Sequence, residues 1–138
     1  MVRVIEMIEE EEKIQWLDEI QKFYRRTGWI VGGIPQEGED SPIDFVVLKG
    51  DTALLIKAIV CHSALIDLSH LIDTPTHVAI RAVVNARVKG RLFIKYMSAD
   101  GKLSSHYLTW EQVLVALSSG TGKISILDTL PLEVLCAE

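Results

Sequence analysis

Several features that would place this chain in a familiar class are scarce or missing. The 138 residues contain two cysteines, Cys61 inside an apolar run and Cys136 near the C-terminus, which give neither a disulfide framework nor a metal-binding spacing. No run of about eighteen apolar residues occurs, and Glu6 and residues 9–12 are acidic where a secretory signal is basic and then apolar. We therefore expect reduced thiols in a cytoplasmic protein with no membrane partner.

Positive charge is also in short supply. Fourteen basic residues face nineteen acidic ones, and the net charge of −5 disfavours a freestanding, non-specific nucleic-acid binder, because attraction to phosphates supplies most of that affinity. Residues 81–102 are an exception, with six basic residues and one acid. A local basic face is predicted there, and its candidate nucleic-acid-binding residues are Arg81, Arg87, Lys89 and Arg91.

What the chain does have is enough apolar material for one domain, residues 1–138, with 49% hydrophobic residues and no repeat or linker. Apolar residues from Trp16 to Tyr24 recur on one helix face, and this helix is expected to end at Thr27-Gly28. A short strand follows at residues 29–31, and then a turn-rich loop from Gly32 to Pro42.

Two strands are predicted at residues 43–49 and 52–61. Both are continuous apolar runs rather than alternating ones, which is typical of a sheet covered on both faces. Helices on both sides of a central mixed sheet are therefore expected, and the fold class is α/β.

A second helix is predicted after residue 74. Thr74 is its expected N-cap, Pro75 occupies the first helical position, and Gly90 is expected to end it. The predicted buried stripe consists of Ala79, Ala82, Val83 and Ala86.

The remaining chain is expected to form a hairpin and a third helix. Residues 92–97 and 103–108 are the predicted strands, joined by a turn at residues 98–101, and Thr109 is the expected cap of a short helix that begins at Trp110. Residues 124–135 hold two apolar patches, predicted to be a last strand with a turn or a strap that pairs with a second copy.

The segment from Ser41 to Lys57 carries the strongest chemical signal. Asp44 stands at the head of one apolar strand, and Lys57 lies inside the next. A metal-dependent nuclease needs such a pair, because strands hold the carboxylate and the ammonium rigidly beside a scissile phosphate. That chemistry normally also uses a carboxylate two residues before the lysine, and here the position is Leu55.

The element order and several segments resemble the restriction-endonuclease-like nucleases, and among them the archaeal Holliday-junction resolvases. The likeness rests on FYRRTGW, IDFVVLKGD and ALLIKA between residues 23 and 58, and on RLFIKY, HYLTWEQVL and LPLEVL further along. It covers most of the chain as a pattern more than as identity. The resemblance implies a restriction-endonuclease-like sheet flanked by helices.

The resemblance also implies a site. Asp44 would be the metal-bridging carboxylate, with Mg²⁺ as the metal. Lys57 would steady the attacking water or the transition-state charge. An acid of the first helix would lie near Asp18 or Glu19. Leu55 departs from this pattern and removes one ligand of the metal. Acids of the preceding loop are candidates to replace it, namely Glu37, Glu39 and Asp40.

A structural role for the same pair is an equal alternative. Asp44 can simply start a strand, and Lys57 can extend along the sheet edge or pair with Asp44. A lysine in so apolar a strand requires a partner, because burying an unpaired ammonium is costly.

The region from Asp73 to Trp110 also resembles the C-terminal domain of archaeal tRNA-splicing endonucleases. In that comparison Lys89 would match the catalytic lysine, whereas Asp51-Thr52 stands where the family has its histidine. The structural subunit, rather than the cutting subunit, is then the closer analogue.

Two other motifs are discounted. The spacing of Cys61, His62, His70 and His77 matches no zinc pattern. The glycine-rich segment at residues 120–123 imitates a phosphate-binding loop, but lacks the glycine and the hydroxyl residue that flank a true one.

The sequence therefore predicts a nuclease-fold protein with a degenerate metal site, a non-catalytic or regulatory subunit in DNA or RNA processing that needs no cofactor. The alternative is an active, Mg²⁺-dependent endonuclease acting on branched DNA or pre-tRNA, and a protein-binding module is the third reading. Self-association is expected because apolar residues are abundant at the C-terminus, namely Leu127, Leu130, Leu132, Val134 and Leu135.

Overall fold

The computed structural model describes the backbone of residues 2–33 and 43–136 and the side chains of residues 11–32 and 43–135. The helices are α1 (Val2–Arg26), α2 (Pro75–Asn85), α3 (Trp110–Ser118) and α4 (Glu133–Cys136). The strands are β1 (Ile30–Gly33), β2 (Phe45–Lys49), β3 (Thr52–Cys61), β4 (Leu65–Asp67), β5 (Lys89–Met97), β6 (Leu103–Thr109), β7 (Lys123–Ser125) and β8 (Leu130–Pro131). Short 3₁₀ turns occupy Ser69–Leu71 and Ile126–Asp128.

A six-stranded mixed sheet in the order β1-β2-β3-β5-β6-β8 organises the described chain. Strands β3 and β5 are parallel and are connected through α2, whereas the other neighbouring pairs are antiparallel. Strands β4 and β7 form a separate antiparallel pair. The predicted α/β class with a central mixed sheet flanked by helices is confirmed.

Helix α1 packs its apolar face on the sheet, with Trp16, Ile20 and Tyr24 each almost fully buried. Its predicted end is confirmed: Gly28 has a φ of +91°, and the N–H of Trp29 reaches back to the carbonyl of Tyr24 at 2.9 Å. The helix begins at Val2, well before the stretch in which the apolar periodicity is clear.

The sheet is covered on both faces, as the continuous apolar strands predict. Alternate residues of β2 and β3, such as Phe45, Val47 and Ile56, belong to a cluster beneath α1. A second cluster lies between the sheet and helices α2 and α3 and includes Leu92, Ile94 and Leu108. Successive residues of one strand therefore serve opposite layers of the core.

The start of α2 is as predicted, and its end and buried face are not. The Thr74 hydroxyl accepts the N–H of His77 at 3.4 Å, and Pro75 is the first helical residue. The helix ends at Asn85, and the fully buried positions are Thr76, His77 and Ile80. Ala82 and Ala86 of the predicted stripe are exposed, whereas Ala79 and Val83 are half-buried.

Gly90 does not end the helix but lies in β5. A side chain at this position would collide with the indole of Trp110 and with the carbonyl of Leu55. The glycine is therefore required by the close approach of α3 to the sheet, and this is a contact between distant parts of the chain.

The predicted hairpin and third helix are confirmed. Strands β5 and β6 pair over residues 91–97 and 103–109, and α3 carries a full capping box. The Thr109 hydroxyl accepts the N–H of Gln112, and the Gln112 side chain accepts the N–H of Thr109 at 2.8 Å.

The C-terminal segment is largely part of the core. Strand β8 pairs with β6, and Leu130, Leu132 and Leu135 pack against the cluster beneath α1. Leu127 and Val134 remain exposed. Much of the apolar material from which self-association was predicted is thus already used within the chain. None of the described helices is both long enough and apolar enough to cross a lipid bilayer.

Candidate functional site

Strands β2 and β3 place Asp44 and Lys57 at neighbouring positions. Phe45 is paired with Ile56, and the register of β2 and β3 ends at this pair, with Asp44 just before Phe45 and Lys57 just after Ile56. The ladder is distorted there, because the N–H of Asp44 donates to the carbonyl of Ile56 at 2.7 Å. The two residues are close along the backbone, as the spacing in the sequence predicts.

The carboxylate of Asp44 is nearly buried and both of its oxygens are engaged. Oδ2 accepts the backbone N–H of Ala58 at 2.8 Å, and Oδ1 lies 3.3 Å from Lys13 Nζ of α1. The side chain is 8% exposed. The Asp44 carboxylate thus continues the hydrogen bonding of β3 past the first residue of β2. The ammonium of Lys13 compensates its negative charge.

Lys57 belongs to the opposite side of the sheet. It lines a cavity of about 260 Å³ beneath α2 and α3, whose walls are mainly aliphatic. The other polar residues around this cavity are Cys61, Asp67, His70 and Thr76. Asp44 therefore contacts the helix on one face, whereas Lys57 lines a cavity on the other.

Leu55 is half-buried beside apolar side chains. It lines a cavity of about 10 Å³ together with Ile43, Ile80, Val83 and Trp110. That volume is at the lower limit for a single water molecule, and the walls offer no polar side-chain partner apart from the indole N–H. The indole Nε1–H of Trp110 donates to the Leu55 carbonyl at 2.9 Å, which fixes this packing.

The acids expected from α1 are elsewhere. Asp18 pairs with Lys22 on the helix surface at 2.9 Å, and Glu19 pairs with Lys95 at 2.9 Å. In the described structure each of these acids thus has a lysine as its ion-pair partner. The loop acids Glu37, Glu39 and Asp40 lie outside the described residues.

An acid of α1 that the sequence pattern did not single out is close to the end of β3. Glu12 Oε2 lies 3.3 Å from His62 Nε2, although the geometry is too poor for a hydrogen bond. This position could have been found by continuing the apolar face of α1 backward by one further turn from Trp16.

The four candidate nucleic-acid-binding residues do not form one surface. Arg91 faces α1, where it donates to Tyr24 Oη at 2.9 Å and lies over the ring of Tyr107. Arg81 is exposed on α2, across the sheet, with its guanidinium 3.4 Å from a ring nitrogen of His77.

The other two candidates, Arg87 and Lys89, are exposed around the start of β5, and Arg87 adopts a positive φ of +58°. The predicted basic face is therefore divided between the two sides of the sheet. Burial raises the pKa of the Tyr24 hydroxyl, while the neighbouring Arg91 lowers it in part.

A different basic group lies at the end of α1. Lys22, Arg25 and Arg26 are all exposed and line a groove of about 520 Å³ between α1 and the sheet. In the sequence these residues are simply the polar side of an amphipathic helix. Their common position beside a groove follows from the packing of α1 and could not be seen from spacing alone.

The histidine and cysteine candidates for a soft metal serve other contacts. His77 is buried, and its Nδ1 accepts the N–H of Asp73 at 3.1 Å. Burial raises the pKa of the Cys61 thiol. Within residues 11–32 and 43–135, no three histidine, cysteine or acidic side chains are grouped so that they could hold a metal ion.

The glycine-rich segment before β7 has a structural role. The carbonyl of Gly122 accepts the N–H of Leu68 at 2.7 Å, and a side chain at Gly122 would collide with the backbone of Ser69. The segment thus packs against the chain after β4, and its glycine is required by that approach.

His106 of β6 lies in a chain of hydrogen bonds whose direction can be deduced. The hydroxyl of Thr129 donates to the carbonyl of Ile126, so it accepts from Nδ1–H of His106 at 3.0 Å. Nε2 is then the acceptor for the Ser104 hydroxyl, at 2.7 Å. Burial lowers the pKa of His106, in agreement with this neutral tautomer.

Comparisons with known proteins add no family: no protein-family model matches the chain, and no curated protein matches it.

Proposed function

We propose that this chain is a restriction-endonuclease-like protein whose metal site is degenerate, and that it acts as a non-catalytic or regulatory subunit in DNA or RNA processing. The element order supports the kinship: a long helix, three antiparallel strands, a helix, and a hairpin whose first strand is parallel to β3. Asp44 immediately precedes β2 and Lys57 lies within β3, the positions along the chain that the nuclease resemblance requires.

The packing of Leu55 carries the non-catalytic part of the proposal. An active site needs an oxygen ligand at this position, and the aliphatic side chain supplies none. Its neighbours in space are Ile43, Ile80, Val83 and Trp110, so the surroundings are apolar as well as the residue itself. A hydrated Mg²⁺ ion, which retains several of its waters, does not fit such an environment.

The donor set around Asp44 does not fit a magnesium ion either. One oxygen accepts a backbone N–H from β3 and the other faces the ammonium of Lys13, a like charge to that of the metal. A divalent cation at Oδ1 would have to displace the ammonium of Lys13. Asp44 in this structure is better suited to close the sheet than to hold a metal.

The direct test is a cleavage assay with the purified protein. Branched four-way-junction DNA and pre-tRNA are incubated with Mg²⁺ or Mn²⁺, and no cutting above the buffer control is expected. Asp44→Ala and Lys57→Ala serve as controls for contamination. Cleavage by the wild type that both substitutions abolish would establish the active enzyme and refute the proposal.

A binding experiment tests the assignment to nucleic-acid processing. The net charge of −5 leads us to expect weak binding of DNA or RNA by the isolated chain, detectable by fluorescence anisotropy at low salt and lost as salt is raised. A chain that binds neither at low salt would favour a protein-binding module that uses only the fold. Lys89→Ala is the informative variant if pre-tRNA is bound, because this lysine corresponds to the catalytic one in the splicing-endonuclease resemblance.

A further inference from the structure

The face of the sheet beneath α1 is incompletely covered. Six strands about 4.8 Å apart span about 24 Å, whereas a single helix is about 10 Å wide. Helix α1 contacts β1 and β3, and the C-terminal segment covers part of the rest. Between them lies the groove of about 520 Å³, which we call the α1 groove.

The α1 groove has an apolar wall and a basic rim. Phe23 of α1 and Leu132 of the C-terminal segment are its partly exposed apolar residues, and Phe93 of β5 is beneath them. Lys22, Arg25 and Arg26 stand on the rim. Such a combination suits an amphipathic segment that carries acidic side chains.

The acidic residue on this rim, Glu19, already has an ion-pair partner within the chain. Glu19 forms both of its contacts with Lys95, whose ammonium also lies over the ring of Trp16 at 5.2 Å. Lys22 is partly compensated by Asp18 through the i,i+4 pair. Arg25 and Arg26 therefore give the rim its net positive charge.

Helix α1 itself has the complementary charge at its other end. Residues 2–12 contain five glutamates and one arginine, a net charge of −4, and residues 13–26 contain four basic and two acidic residues, a net charge of +2. The helix is thus acidic in its first half and basic in its second. Two such helices side by side attract each other when they run antiparallel and repel when they run parallel.

We propose that the occupant of the α1 groove is the first half of α1 from a second copy of the chain. In an antiparallel pair related by a two-fold axis, the acidic half of each helix lies on the basic rim of the other copy. Both grooves are then filled by the same contact, which is the self-complementary interface that a two-fold dimer requires. The inference does not depend on the nuclease proposal.

The proposal moves the site of self-association from the C-terminal segment to α1. Leu135 is buried in the core and Leu130 packs against it, so neither is free to form a separate interface. Leu132 instead contributes to the wall of the α1 groove.

The first measurement is molar mass by light scattering over a range of concentrations and ionic strengths. The mass is expected to rise from that of one 15.4 kDa chain to twice that value with concentration. Dimerisation should weaken between about 0.05 M and 0.5 M salt, because exposed charges contribute to the contact. A monomer at every soluble concentration in low salt would overturn the proposal.

The second measurement is a charge swap between copies. The rim variant is Lys22→Glu, Arg25→Glu and Arg26→Glu; the helix variant is Glu9→Lys, Glu10→Lys and Glu11→Lys. Each alone should dimerise at least about tenfold more weakly, because like charges then face each other. Mixed in equal amounts, they should form a heterodimer, since every contact again joins opposite charges.

A matched control separates specific contacts from net charge. Lys89→Glu, Lys102→Glu and Lys123→Glu change the charge as much as the rim variant does, at exposed positions away from the groove, and should leave dimerisation unchanged. Circular dichroism checks that each variant is folded. The proposal fails if the rim variant dimerises like wild type, if the control is as strongly affected, or if the mixture stays monomeric. Loss of nucleic-acid binding in the rim variant of a monomeric protein would identify a nucleic acid as the occupant instead.

Discussion

At the scale of single residues, Leu55 is a half-buried apolar position rather than a vacant ligand position. Its side chain packs among aliphatic residues and Trp110, and its carbonyl is held by the Trp110 indole. We expect Leu55→Glu to lower the free energy of unfolding by about 2 kcal/mol, because a carboxylate at this half-buried position loses part of its hydration. Lys57, two residues along the strand, offsets only part of this cost.

Urea unfolding at neutral pH measures the effect of Leu55→Glu. Leu55→Met is the matched control and should cost less than about 1.5 kcal/mol, since volume and polarity are nearly kept. A glutamate variant as stable as the methionine variant, and further stabilised by Mn²⁺, would mean that the position is open and hydrated like a metal site.

His106 provides a pH-dependent contribution to stability. Burial lowers its pKa in the folded state, so the unfolded chain binds the proton more readily. The contribution is present above the unfolded pKa of about 6.5 and is lost as the pH falls through the folded value. We therefore expect stability to decrease as the pH is lowered through this range.

The measurement for His106 is urea unfolding at about pH 7.5 and about pH 5.5, a window that lies above the titration of ordinary carboxylates. His106→Gln keeps an acceptor and a donor but does not titrate there. The variant should lose less stability than wild type over this interval. Equal losses in the two proteins would assign the pH dependence to other groups.

At the scale of elements, α3 depends on its first turn. The reciprocal bonds between Thr109 and Gln112 satisfy two N–H groups that the helix leaves without intrahelical partners. Thr109→Ala should lower the free energy of unfolding by about 1 kcal/mol, whereas Thr109→Ser, which keeps the hydroxyl, should lose much less. Thermal or urea unfolding of the wild type and the two variants measures these losses. Equal losses of stability in Thr109→Ala and Thr109→Ser would show that the threonine methyl group, rather than the capping hydroxyl, is responsible.

The elements that were predictable are those fixed by local signals. The caps Thr74 and Thr109, the glycine that ends α1 and the turn between β5 and β6 all depend on residues within one turn of each other. The end of α2 and the role of Gly90 were not predictable in this way. Helix α2 is closed by Arg87, a non-glycine residue with a φ of +58°, and the role of Gly90 depends on Trp110, which approaches from another part of the chain.

The candidate site also combines features that local sequence predicts with features that depend on distant parts of the chain. The register of β2 and β3 could be predicted, because a short hairpin between two apolar runs fixes it. The face of the sheet on which Asp44 and Lys57 each make their contacts could not be predicted. Lys13 comes from α1 and the lining of the Lys57 cavity from α2 and α3, so both environments depend on how the layers pack.

At the scale of the whole molecule, the sheet joins two layers of core that share strands. In β5, Phe93 belongs to the cluster beneath α1, whereas its neighbours Leu92 and Ile94 belong to the cluster beneath α2 and α3. Loss of packing on one face therefore disturbs the strands that support the other. We expect the two layers to unfold together in one cooperative transition.

The tryptophans allow this cooperativity to be tested, since Trp16 and Trp29 report on the layer beneath α1 and Trp110 on the other. Leu117→Ala removes a buried side chain beneath α3 and should cost about 3 kcal/mol. In a Trp110→Phe background, the fluorescence of the remaining tryptophans should shift to lower urea by the same amount as the circular dichroism.

Val47→Ala is the reciprocal case, since Val47 is fully buried in the layer beneath α1. In a background without Trp16 and Trp29, Trp110 should report its destabilisation although the substituted residue lies across the sheet. Coincident transitions in both experiments mean that the shared strands couple the layers. If instead each substitution moved only the tryptophans of its own layer, the two layers would unfold separately, and no single free energy of unfolding would describe the protein.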